Sequence, residues 1–290
     1  MIKGSKVTYE DAKRSLHIYG EETATVKGRT TKNKQSKIEH VEHTDIPRHI
    51  LLKHNKVHLM VDYMFVQGVQ FLTTISTKFN YRTVEALPYV NKKGAKKEDI
   101  LVGINKVINL YQSRGLAVEQ VNGDNEFQCI REDIRPILLN ITAADKHVSP
   151  VERSIRSIKD RTRCQVQSIP YTKYPRTMII GCVIFSTKSL NSEIGMSALL
   201  TKLSPNTLIT GQPQRDYNEV TLLTFGEYVE VYNVNNVTNT NEERTISVVA
   251  LYPSGNLQGG WMFFSLNTGR VLHRHQWKKL PVNNQIIDRV

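Results

Sequence analysis

Two apolar runs, Val57–Val66 (VHLMVDYMFV) and Val69–Ser76 (VQFLTTIS), separated only by Gln67-Gly68, constrain this chain more than any other feature. Both are rich in β-branched and aromatic residues, and the short glycine-containing break predicts two strands that fold back on each other. The first run reads as a buried strand, apolar at nearly every position. One residue breaks that pattern. Asp62 puts a carboxylate inside the run, where an unpaired charge costs several kcal/mol. It must therefore be paired, exposed at an edge, or bound to a cation.

The rest of the chain supplies partners for the hairpin. Tyr81–Pro88 is a plausible third strand and completes an antiparallel meander. Glu98–Tyr111 has Ile100, Leu101, Ile104, Val107, Ile108 and Tyr111 on one face and Gly115 just past its end, which predicts a helix. A strand at Leu116–Val121, a helix-like piece from about Phe127 to Leu138 and a brief strand at Leu139–Thr142 follow. Pro150 opens an amphipathic helix to about Gln165, and Tyr174–Leu190 is a further, largely apolar helix. After Gly211 the pattern changes to short β-runs, Tyr228–Val234, Thr245–Leu251, Trp261–Leu266 and Arg270–His275, separated by turn residues. That is the signature of a small all-β module. Residues 1–50 are polar and basic, with a helical start at Thr8–Tyr19. The stretch Lys27–Lys37 (KGRTTKNKQSK) lacks apolar periodicity and reads as a solvated linker, with order beginning near Ile46-Pro47. The expected division is 1–50 as segment and linker, 51–200 as an α/β core, and 201–290 as the β-domain.

Charge narrows the function. The 290 residues carry 39 Lys+Arg against 27 Asp+Glu, a formal net charge of +12. The basic excess sits in residues 1–60 and 129–220, flanking a nearly neutral block, which suits a polyanionic partner. The longest apolar runs, such as Met178-Ile179-Ile180 and Trp261-Met262-Phe263-Phe264, are too short to span a bilayer, so no membrane is expected. Met1–Glu10 holds charges and no apolar stretch, which argues against a secretory signal. Cys129, Cys164 and Cys182, odd in number and widely spaced, make neither a disulfide framework nor a CxxC zinc site, and a reducing compartment is expected.

Two further carboxylates gain meaning from position. Asp124 follows a strand in the turn Asn122-Gly123-Asp124-Asn125, where aspartate is ordinary. Glu152 lies in the first turn after Pro150, where the helix dipole favours a negative residue anyway. On that helix, however, Glu152, Arg156, Lys159 and Arg163 fall within about 60° of one another. Val151, Ile155, Ile158 and Thr162 form a second stripe that faces the core. One carboxylate followed by three cations looks like a metal ligand beside a phosphate track; a solvated basic face is the competing explanation.

These residues carry a resemblance. Val61–Gly68 (VDYMFVQG), Gly123–Phe127 (GDNEF) and His147–Arg163 (HVSPVERSIRSIKDRTR) resemble the Asp, Asp, Glu signature of retroviral-type integrases, and most of all the integrase region of Copia-type long-terminal-repeat retrotransposon polyproteins. Leu203–Gly211 (LSPNTLITG), Phe225–Val229 (FGEYV) and Gln258–Val271 leading to Trp277 resemble the same polyproteins, in the same order. The resemblance implies a ribonuclease-H-like mixed sheet with flanking helices, followed by a small all-β C-terminal domain. It implies that Asp62, Asp124 and Glu152 bind two Mg²⁺ or Mn²⁺ ions and are catalytic, with water as nucleophile for end trimming and a DNA 3′-hydroxyl for strand transfer. Element cDNA ends and chromosomal DNA would be the partners, held by Arg153, Arg156, Lys159, Arg163, Arg270 and Lys278. A homo-oligomer acting in the nucleus after a cytoplasmic particle stage is expected.

There are departures. Only 27 residues lie between Asp124 and Glu152, so the intervening segment must be trimmed, and Ser149-Pro150 stands where many Copia relatives carry Asn-Gly. The His-His-Cys-Cys module that normally precedes the core is missing. His40, His43, His49 and His54 are present, but no cysteine occurs before Cys129, so no zinc site is expected. Reverse transcriptase is absent as well, which suggests an excised piece or truncated copy of a longer polyprotein. Two other readings stay open: a catalytically inactive nucleic-acid-binding remnant and a ribonuclease-H-type nuclease. The basic β-rich tail, with Trp261, Arg270, His273, Arg274, Trp277, Lys278 and Lys279, fits a DNA-holding domain better than the nuclease. Trp261 is expected in the core, and Trp277 fits either role.

Overall fold

The helical start expected at Thr8–Tyr19 is present. The computed structural model describes residues 4–31, 41–88, 95–142, 149–194, 203–214, 216, 222–233 and 241–290. Helix α1 (Tyr9–Tyr19) opens on a capping box. Thr8 Oγ1 accepts the Asp11 N–H at 3.2 Å, and Asp11 Oδ2 accepts the Thr8 N–H at 2.9 Å. Helix α2 (Thr23–Arg29) buries Val26, and Lys27 pairs with Glu243 at 2.9 Å. The stretch read as a solvated linker thus starts inside a packed helix, because one valine suffices to dock a short turn. Its remainder, residues 32–37, lies outside the described residues. Helix α3 (Arg48–His54) adds Ile50 to the core below.

The described residues fall into two compact units. One takes those within His40–Ser168 and Met178–Leu222, the other those within Met1–Glu39, Ile169–Thr177 and Leu223–Val290. The first is built on the predicted hairpin, β1 (Lys56–Val66) and β2 (Val69–Ser76), with register from Val66↔Val69 to Leu59↔Ser76. Gln67 and Gly68 take φ of 45° and 77°, the left-handed pair that a two-residue hairpin turn demands. Strand β3 (Arg82–Ala86) adds antiparallel to β2. Helix α4 (Lys97–Gln112) then crosses over, and β4 (Ala117–Gly123) and β5 (Leu138–Ile141) add parallel on the other side of β1. The sheet order is β3-β2-β1-β4-β5, with α5 (Ser149–Gln167) and α6 (Arg176–Ser192) following. This is the mixed sheet with flanking helices that the sequence led us to expect, in the expected element order.

Alternation on β1 sorts the layers. Val57, Leu59 and Val61 pack with Ile100, Ile104, Val107 and Ile108 of α4. On the opposite face, Met64 packs with Val69, Phe71, Ile158 of α5 and Val183 of α6. Val151, Ile158 and Thr162 are buried, so the predicted core stripe of α5 is correct.

Two local expectations need correction. The helix-like stretch Phe127–Leu138 contains only a 3-10 turn, Asn125–Ile130, followed by further turns. Pro136 cannot continue a helix and disfavours helical backbone at Arg135, so the segment connects β4 to β5 without one. Leu203–Gly211 contains an unforeseen helix, α7 (Pro205–Thr210), with Ser204 as N-cap, Pro205 in the first turn and Gly211 left-handed at its end. Leu208 and Ile209 carry it into the same core.

The second unit contains the expected all-β sheet. Strands β6 (Tyr228–Tyr232), β7 (Thr245–Pro253), β8 (Trp261–Ser265), β9 (Val271–Arg274) and β10 (Lys278–Lys279) run antiparallel in the order β10-β6-β7-β8-β9, and α8 (Asn284–Arg289) follows. Trp261 is buried, and Trp277 packs against it and Phe263 at ring-centroid distances of 6.4 and 5.9 Å. Within the same sheet the buried Glu230 accepts hydrogen bonds from the hydroxyls of Tyr228 and Ser247, each at 2.6 Å.

One backbone position links packing to the site below. A Cβ on Gly123 would stand 2.8 Å from Phe127 Cδ2 and 2.9 Å from Val61 Cγ1, both in the α4-side core. Gly123→Ala is therefore expected to destabilise the chain by about 1–3 kcal/mol, read as a lowered midpoint of denaturant unfolding. An unchanged midpoint would mean that Phe127 moves aside at no cost.

Candidate active site

The middle of β1 and the end of its neighbour β4 set the site. β1 and β4 are parallel, and Met60 pairs with Asn122. Two residues further along each strand come Asp62 and Asp124. Asp124 keeps extended backbone (φ −83°, ψ −177°), so it prolongs β4 and stands level with Asp62 on a strand roughly 5 Å away. Because side chains alternate, Asp62 shares its face with Met64, the face that α5 covers. Glu152 lies in the first turn of that helix, a turn and a half before the buried Ile158.

Each aspartate has a local role. Asp62 Oδ1 accepts the Tyr63 N–H at 2.7 Å, and Asp124 Oδ1 accepts the Glu126 N–H at 3.1 Å, capping the 3-10 turn. Tyr63 stacks on Phe127 at 4.8 Å, which ties the strand to that turn. The electrostatics join them into one site. Burial holds the Asp62 carboxyl above the ordinary aspartate range, and the Tyr63 N–H pulls it partly back. The charges of Asp124, Glu152 and Glu126 all push it up again. Both of the other sequence-predicted carboxylates thus act on Asp62. Glu126 is a fourth that the sequence reading missed, since nothing distinguishes it there from an ordinary turn residue.

Among the described residues, no three His, Cys, Asp or Glu side chains stand as a group able to hold a metal ion. The structure brings Asp62 beside Asp124 and Glu152 into their field, but it does not draw the three into a finished chelate. The donor chemistry still fits a hard divalent cation. These are oxygen donors only, and their mutual repulsion is what a dication relieves.

The predicted basic residues divide. Arg153 and Arg156 are exposed on α5, and Lys159 is half-exposed. Arg163 is exposed too, but its guanidinium pairs with Asp160 at 2.6 Å, so part of the stripe's charge is answered on the helix itself. Arg270 is exposed in the second unit, where Lys278 pairs with Glu21. No described helix is long and apolar enough to cross a membrane.

No protein-family model matches the chain, and no curated protein does. Among solved structures, the chain is similar to the catalytic core domain of BIV integrase, with 14% identity over 51% of this chain and 90% of that one, at a TM-score of 0.38. It is also similar to the HTLV-2 integrase catalytic core domain in complex with magnesium, in a trimeric form, with 15% identity over 53% and 95% and a TM-score of 0.37. Those values assign no residue and no activity.

The burial of Asp62, with the repulsion around it, has a thermodynamic consequence. A carboxyl with a raised native-state pKa adds stability that is fully present below the ordinary aspartate range and is lost as pH rises through the raised value. At neutral pH the whole penalty stands. Asp62→Asn should therefore raise the melting temperature in chelator by roughly 1–3 °C. Adding Mg²⁺ or Mn²⁺ should stabilise the parent chain and leave the variant nearly unmoved. A lower melting temperature for Asp62→Asn in chelator would refute this account of the site.

Proposed function

We propose that the chain is a metal-dependent polynucleotidyl transferase of the retrotransposon integrase type, which trims DNA 3′ ends and joins element cDNA to chromosomal DNA. What supports this most is the parallel register Met60↔Asn122, two residues before Asp62 and Asp124, together with the charges of Asp124 and Glu152 acting on Asp62. Asp62, Asp124 and Glu152 would hold the divalent ions. Such ions, when bound, stabilise both the attacking and the leaving oxygen of an in-line phosphodiester displacement. Arg153, Arg156, Lys159 and Arg163 lie on the same helix as Glu152 and would hold the DNA backbone leading to the reacting phosphate. In the second unit, Arg270 and Lys278 would contact DNA as well. The working form is proposed to be a homo-oligomer, acting on nuclear DNA after a cytoplasmic stage. The second reading, an inactive DNA-binding form of the same fold, draws support from the backbone hydrogen bonds that already occupy Asp62 and Asp124.

A strand-transfer assay with a terminal-repeat oligonucleotide and the full chain separates these readings. Product is expected with Mg²⁺ or Mn²⁺ and none with chelator. Asp62→Asn, Asp124→Asn and Glu152→Gln should each fall to the chelated background while DNA affinity stays within about threefold, because each keeps its shape and loses only a charge. DNA binding with no product in the parent chain selects the inactive reading. Cleavage of the RNA strand of a hybrid without DNA joining selects a ribonuclease-H-type nuclease.

The basic stripe is tested separately. Replacing Arg156, Lys159 and Arg163 together with Gln should weaken DNA binding whatever the sequence. It should also flatten log affinity against log salt by about two to three units. Unfolding free energy should change by no more than about 0.5 kcal/mol, since these are surface positions. An unchanged salt slope would mean that the stripe is only solvated.

A further inference from the structure

Beside the carboxylates, the same face of the sheet carries a row of amides. The β1–β4 pairing shifts register between Val57 and His58, so that His58 pairs with Gln120 and Met60 with Asn122. Gln120, Asn122 and Asp124 therefore alternate along the face that holds Asp62. In β5, Leu138 pairs with Gln120 and Asn140 with Asn122. The core on this face is made by Met64, Val69, Phe71, Ile158 and Val183, none of which comes from β4 or β5. Leu138 is 60% exposed and Asn140 is exposed, whereas Val121 and Leu139 on the opposite face are buried.

The row is internally fixed. Asn122 is 6% exposed, and its Nδ2 donates to the Leu59 carbonyl of β1 at 3.3 Å. Its Oδ1 accepts from Gln120 Nε2 at 2.6 Å and from Asn140 Nδ2 at 2.9 Å. One buried amide thus orients two outer ones. Each outer amide has a second N–H and a carbonyl oxygen beyond these bonds, and Leu138 supplies an apolar contact beside Gln120. Such a set, pre-oriented by its neighbour, suits base edges and sugars, which amides and small apolar groups contact without charge. Along the strand, Asn122 stands about 7 Å and Gln120 about 13 Å from Asp124. That spans roughly two to four stacked nucleotides at 3.4 Å each.

Resting on the reading of Asp62 and Asp124 as a DNA-processing pair, we infer that Gln120 and Asn140, held by Asn122, contact the bound DNA two to four nucleotides from the reacting phosphate. The contact is uncharged. It adds affinity without releasing counterions, unlike the basic stripe of α5.

The test is fluorescence anisotropy of a labelled duplex oligonucleotide with the full chain, without divalent metal, over a series of salt concentrations. The double variant Gln120→Met/Asn140→Ala should bind about 5- to 30-fold more weakly at every salt concentration, with the slope of log affinity against log salt unchanged. Its melting temperature should fall by no more than about 2–5 °C, because the buried Asn122 Oδ1 loses both donors, and Gln120→Asn should keep part of the lost affinity. Equal affinity in the double variant overturns the inference, as does a loss that comes with a flatter salt slope. A parent chain that binds no DNA overturns it along with the proposed function. Strand transfer by a double variant of parental affinity would keep the proposed function and overturn this inference alone.

Discussion

Everything in the larger unit depends on β1 being covered on all sides. It takes antiparallel β2 on one edge and parallel β4 on the other, while α4 packs on one face and α5 with α6 on the opposite one. Its middle, Val57 to Met64, is buried or half-buried at every position, so a charged residue there must have a reason to be present. At roughly 25 cal/mol per Å² of apolar surface removed from water, its valines, leucine and methionines supply a large share of the cohesion. They also fix the level at which Asp62 emerges.

The site trades against that cohesion. Asp62 is desolvated by the packing that orders β1, and it faces the charges of Asp124, Glu152 and Glu126 with one backbone N–H as its hydrogen-bond donor. A fold selected for stability alone would place a neutral residue there. Gly123 is part of the same arrangement. It lets Phe127 close against Val61, Phe127 carries the stacked Tyr63, and the turn capped by Asp124 is held beside β1. Packing on the α4 side thus aligns carboxylates that look toward the α5 side.

Much of this was legible in sequence because it rests on short-range pattern. The hairpin follows from two apolar runs and the glycine-containing break between them, α4 and α5 from their period, and the antiparallel sheet of the second unit from regularly spaced turn residues. Local errors arose where a few residues decide the outcome. Val26 docks α2, whose last residues run into the stretch read as linker, Ser204-Pro205 starts a short helix, and Pro136 prevents the one expected before β5. A window of composition averages over such single residues.

By itself, the sequence determined the carboxylates' candidacy: Asp62 is anomalous in an apolar strand, and Glu152 heads a helix with a basic stripe. It could not determine their relation, because Asp62 and Asp124 are 62 positions apart and local periodicity says nothing about which strands pair. Only the tertiary structure set β4 parallel to β1 with Met60 opposite Asn122, and only it buried Asp62, which raises that carboxyl's proton affinity, with the charge of Asp124 adding to it. The same register put Gln120, Asn122 and Asn140 in one row. Register is a long-range quantity, fixed by which side chains fill the space between layers, and a one-residue slip would have turned every one of these groups to the other face.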